Sequence, residues 1–195
     1  MIGLAPRPRR GSSPARRPAV VAPRAVFIDD VAELTSIYLP EVALVCWPRP
    51  RVVSDVELAQ LAPFNWVREV RADGTGLESL ADTLSAGPMD ELKRLVEVHS
   101  ALFEVEQVGV RVALTDAPLC PGFHVDRVPC RLVWVLAGAG TEWVEGGLPV
   151  SPDREVQQLP TGAAAWFKGS TWPGGSTLVH RSAHGRRLVA TVDLL

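Results

Sequence analysis

Residues 118–131 read PLCPGFHVDRVPCR, and His124 and Asp126 within them are the first pair in the chain that could hold an ion. Residues two apart leave the same face of an extended segment, with Cα atoms about 6–7 Å apart. An imidazole and a carboxylate at that spacing can converge on one centre, and the mixed donor set suits iron, manganese or zinc. A third ligand must come from elsewhere. Only His180 and His184 lie downstream, both inside LVHRSAHGRR. His180 follows Leu178 and Val179 at a strand end, where its ring can turn into a barrel, whereas His184 sits beside Gly185 in a turn. His180 is therefore the stronger candidate. Two histidines and one acid form the facial set that leaves open positions on an ion. Cys120, four residues before His124, is a possible further ligand that would favour zinc; its alternative is simple packing. Cys130 opens an apolar strand and reads as buried.

These residues need a scaffold. After Val108 the chain turns into short apolar runs (VGVRVALTDA, CRLVWVLAG, TEWV, AAAWFKG, TLVHRS and RRLVATVDLL) separated by Gly- and Pro-containing turns. Many short strands with no helix between them point to a sandwich or closed barrel. Before Val108 the signals alternate. DDVAELTSI, SDVELAQLA and LESLADTLS read as short helices, and VALVCW and WVREVRA as strands. The longest helix runs from about Pro88 to Glu106, with Met89, Leu92, Val96, Leu102 and Phe103 on one face. His99 lies along that face and reads as a packed residue, outside the site. Trp134 and Trp166 belong to strand cores. Trp143 and Trp172 lie near turns, where they could line a pocket mouth or pack at its rim. Glu142 and Arg181 stand near the same mouth and could orient ligands. The expected fold class is α+β: a C-terminal double-stranded β-helix (a jelly-roll or cupin-like barrel) flanked by N-terminal helices. The expected organisation is a disordered arm over 1–25 and one domain over 26–195, with an α/β flank at 26–107 and the barrel core with its metal site at 108–195.

The order of these parts is similar to that of the iron(II)- and 2-oxoglutarate-dependent oxygenases of the double-stranded β-helix fold. PTGAAAWF resembles that family's Pro-x-Gly segment before an apolar strand, and Gly185-Arg186-Arg187 resembles the Gly-x-Arg before its last strand. The resemblance implies iron on His124, Asp126 and His180, and 2-oxoglutarate held through its carboxylate by Arg187. A guanidinium fork suits that task. Arg186 takes the role if the strand slips by one residue, and Lys168 and Arg131 are further basic candidates. The phrases LCPGFHVDRVPCRLVWVLAGAGTEWV, FKGSTWPG and LVHRS resemble, more narrowly, a bacterial family known as domain of unknown function 1826. The implied activity is a dioxygenase acting on an unknown small-molecule or protein substrate. The competing expectation is a non-catalytic zinc-binding cupin-like protein, with Cys120 as a fourth ligand.

Composition narrows the field. Of 195 residues, 47% are hydrophobic and 22% charged, the range of a globular protein. No apolar run approaches the roughly 20 residues that span a bilayer, so no membrane partner is expected. Six arginines and no acid lie between Met1 and Arg24, which leaves fourteen basic and twenty-two acidic residues in the rest, a formal charge of −8. The arm is rich in Pro, Arg, Ser and Gly and cannot bury enough apolar area to order itself. An acidic body argues against nucleic acid as a partner. Three cysteines, an odd number, point to free thiols and a cytoplasmic location.

Overall fold

A computed structural model describes residues 23–174 and 178–195. The element order is β1 (Arg24–Phe27), a 3-10 segment (Val31–Tyr38), β2 (Val42–Trp47), α1 (Asp55–Gln60), β3 (Phe64–Arg71), α2 (Ala86–Phe103), β4 (Gln107–Thr115), β5 (Cys130–Ala137), β6 (Glu142–Val144), β7 (Gln157–Gln158), β8 (Ala164–Lys168), β9 (Val179–Arg181) and β10 (Arg187–Leu194). Seven strands form one mixed sheet in the order β1-β2-β8-β5-β10-β4-β3, and three form a second sheet, β7-β6-β9. The strand β10 is last in sequence yet lies between β5 and β4, antiparallel to both.

Alternation decides what each face of the large sheet touches. In β5, Cys130, Leu132, Trp134 and Leu136 belong to the core on the helical side. Val133 and Val135 face the small sheet. The same parity runs through β10, where Leu188, Ala190 and Val192 join the helical side and Val189 the inner side. α2 covers the helical side, burying Leu92, Leu95, Val96 and His99. His99 accepts a hydrogen bond at Nδ1 from Trp166 Nε1 (3.2 Å), and burial pushes its pKa down to about 3. It is a packed residue, as its place on the helix face predicts.

Several expectations change. The arm expected over 1–25 lies outside the described residues up to position 22, and Arg24 and Ala25 form part of β1, parallel to β2. The run LESLADTLS gives only a 3-10 turn, Glu78–Leu80, followed by turns. The N-terminal segment does not only pack outside the barrel. It supplies β1 and β2 to one edge of the large sheet and β3 to the other. Trp143 does not line a pocket mouth: it is 2% exposed in the core between the sheets. Trp172 packs on the helical side, against Tyr38, Phe103 and the Lys168 ammonium.

Candidate metal centre

His124 lies just outside the regular strands, yet its backbone pairs with His180 of β9. Each N–H donates to the other's carbonyl at 3.0 Å. That two-bond bridge sets the two imidazoles side by side, 4.6 Å between ring centroids. Asp126 follows in the loop to β5, and the same loop is tied to β8. Gly169 N–H donates to Pro129 O (2.8 Å) and Ser170 N–H to Asp126 O (2.8 Å). A Cβ at Gly169 would strike Val128 O and come within 2.8 Å of Asp126 O, so only glycine admits this close approach.

One ligand atom from each of His124, Asp126 and His180 lies within 4.8 Å of the others. His124 Nε2 is 3.6 Å from Asp126 Oδ1, and His180 Nε2 is 3.1 Å from Asp126 Oδ2. Cis ligands bonded to an ion at about 2.1 Å stand roughly 3 Å apart, so the spacing fits a shared ion. Hydrogen bonding alone leaves the group incomplete. Asp126 Oδ2 is buried and has no hydrogen-bond donor, because the His180 contact is close but not aligned as a hydrogen bond. An orphaned, buried carboxylate oxygen facing an imidazole nitrogen is what a cation would satisfy. His124 is oriented by Nδ1–H donating to Gly122 O (2.9 Å), which turns Nε2 inward. The ring of His180 rests on Phe167, 4.5 Å between centroids.

Arg131 completes the frame. Its Nη1 donates to Asp126 Oδ1 at 2.6 Å, while Nε and Nη2 grip Asp193 of β10 at 2.6 and 2.7 Å. Burial alone would raise the Asp126 pKa. The imidazoles of His124 and His180 and the Arg131 guanidinium outweigh it and hold the carboxyl well below the usual range. The Asp126 carboxylate, 3.6 Å away, raises the pKa of His124 against the opposing effect of burial.

A cavity of about 360 Å³ opens beside the triad, lined among others by His124, His180, Thr141, Val133, Val189 and Arg187. Arg187 is 2% exposed and lowered in pKa by burial. Its Nη2 donates to Thr141 Oγ1 (3.3 Å), its Nε has no partner, and no carboxylate pairs with it among the described residues. The other basic candidates point elsewhere. Arg186 bonds Asp116 and the Leu58 and Leu61 carbonyls at the surface, and Lys168 donates to Leu39 O (2.8 Å) on the helical face. Arg131 is spent on two acids. Cys120 borders the cavity but is not among the converging ligand atoms. Glu142 and Arg181 pair with each other (2.6 Å), and Arg181 borders the cavity. The role of Arg131 escaped sequence reading, since nothing local shows that 131 and 193 are cross-strand partners.

Comparison with solved structures gives the same architecture. The rice dioxygenase for auxin oxidation superposes with a TM-score of 0.51 at 12% identity, covering 89% of this chain and 83% of that one. The Arabidopsis thaliana counterpart, solved with 2-oxoglutarate, gives 0.51 at 9% identity, covering 89% and 92%. At such identities the likeness is one of fold. No curated protein matches the chain. Among the described residues no helix is long and apolar enough to cross a membrane. A family model for a protein of unknown function, DUF1826, matches residues 28–193, and the chain belongs to that family.

Proposed function

We propose that this protein is an iron(II)- and 2-oxoglutarate-dependent oxygenase, with His124, Asp126 and His180 as iron ligands and Arg187 as the partner of the co-substrate's distal carboxylate. One observation carries the reading: a buried guanidinium that no acid among the described residues pairs with opens on the same cavity as a converging His-Asp-His set. A buried cation without a counter-charge is costly, and a ligand carboxylate offsets that cost. Iron and 2-oxoglutarate together would supply an oxidant derived from dioxygen. The chain's residues do the rest. His124 and His180 would each offer a ring nitrogen to the ion, and Asp126 one oxygen while Arg131 holds the other. Thr141 steadies the Arg187 fork beside the space the co-substrate would fill. The shared fold with a structure that holds 2-oxoglutarate supports the assignment. A zinc-only role finds no added support, since Cys120 stands outside the ligand set.

The test is anaerobic titration of the protein with Fe(II) and 2-oxoglutarate. A visible charge-transfer band is expected, absent in His124→Ala. Arg187→Ala should raise the 2-oxoglutarate concentration needed for half of that band by at least about tenfold. A band unchanged in both folded variants would falsify the proposal.

A further inference from the structure

The four arginines that border the cavity are Arg111, Arg131, Arg181 and Arg187, and the one acid among its lining residues is Asp193. This is a local excess of positive charge in a body whose formal charge after the arm is −8. Neutralisation within the protein accounts for two of the four. Arg131 is paired with Asp126 and Asp193, and Arg181 with Glu142. The cavity reading above engages Arg187. Arg111 remains. Its Nε donates to Asn65 Oδ1 (2.8 Å), a neutral acceptor that orients the guanidinium without cancelling its charge. No carboxylate pairs with it among the described residues.

Register places Arg111 away from Arg187. Arg187 and Thr191 are four residues apart on the inner face of β10, about 13 Å along the strand. Arg111 of β4 stands opposite Thr191 and is also opposite Val67 of β3. The cavity lining also includes exposed aliphatic side chains, among them Val67 opposite Arg111. Val67, Leu119 and Leu195 are 52%, 37% and 71% exposed, and all three border the same cavity. A charged fork beside exposed aliphatic side chains matches a ligand with an apolar body and an anionic end.

We infer that Arg111 is the substrate-recognition residue, and that the substrate is a small organic acid of apolar skeleton whose carboxylate pairs with Arg111 while its body lies against Val67, Leu119 and Leu195. The inference deepens the oxygenase reading and rests on it, because it needs Arg187 to be taken by the co-substrate. Charge complementarity disfavours a neutral hydrocarbon or an amine as the preferred ligand, since an amine would meet the uncompensated guanidinium of Arg111.

Ligand-observed NMR on the full chain, at saturating 2-oxoglutarate, tests this. The probes are hexanoate, octanoate, phenylacetate and 3-phenylpropionate, each beside its uncharged amide. At least one acid should bind about tenfold more tightly than its amide. Arg111→Leu should abolish that preference, and Arg111→Lys should keep part of it. Both variants should bind 2-oxoglutarate like the parent protein. If no acid outcompetes its amide, or if the preference survives in Arg111→Leu, the inference is wrong. If instead 2-oxoglutarate binding is indifferent to Arg187→Ala, the oxygenase reading has failed, and that outcome is visible separately from the Arg111 series.

Discussion

At the scale of single residues, Arg131 does more than any sequence signal suggests. One guanidinium ties the Asp126 carboxylate to β10, so the His-Asp-His cluster and the C-terminal strand share a fastening. Its removal takes away the guanidinium that both Asp126 and Asp193 share. Arg131→Met should cost about 2 kcal/mol of stability in urea unfolding, moderated because the pair with Asp193 is partly exposed. It should also weaken metal binding, as loss of an outer hydrogen-bond partner does, by about tenfold or more in a Mn(II) titration. His99 makes a pH prediction. The folded protein keeps it neutral down to about pH 3, whereas the unfolded chain protonates it near 6.5. The unfolded state therefore binds the extra proton between these values, and stability falls as pH falls through that window. Denaturant unfolding at pH 5.5 should show about 1.4 kcal/mol lost to this residue alone. His99→Gln, which retains an acceptor for Trp166, should flatten the profile.

At the scale of elements, local patterns carried much and register carried the rest. Ser54 followed by Glu57 announces α1, and both halves of the capping box form. His124 and Asp126 were legible because their relation is local, two residues on an extended segment. Arg187 against Arg186 is a question of strand parity, which the sequence leaves open and pairing resolves: 187 faces inward and 186 faces the surface. β1 and β7 were not legible, the first because it adjoins a Pro- and Arg-rich stretch, the second because Gln157–Gln158 carries no apolar alternation. Gly169 shows what a single atom does to an element. Its bare Cα lets the end of β8 press against the loop carrying Asp126. Gly169→Ala should lower stability by about 1–3 kcal/mol, read as a lower urea midpoint, and should weaken Mn(II) binding in the fraction that stays folded.

At the scale of the molecule, the two cores divide labour. The larger, on the helical side, holds Trp134, Trp166 and the apolar face of α2; the smaller, between the sheets, backs the His-Asp-His cluster. Because the triad joins the loop before β5 to β9, an ion there links both sheets, and binding favours only the folded state. Mn(II) at a hundred times its dissociation constant should add about 2.7 kcal/mol. For a chain of this size that corresponds to a rise in Tm of about 5–10 °C, absent in His124→Ala.

The central seat of β10 has a consequence for how the chain comes together. The hydrogen-bonding edges of β4 and β5 face each other across a gap that only residues 187–194 close. Until that strand threads between them, the half-assembled protein presents two sticky, aliphatic edges of the kind that seed aggregation. The pairing of Val108 with Leu194 joins residues 86 apart in sequence, a non-local topology that folds slowly. The cavity, the buried Arg187 and the Arg131–Asp193 fastening all require β10 in its seat. A version cut after Gly185 should be recovered from cells as insoluble material and not as a soluble protein that merely lacks activity.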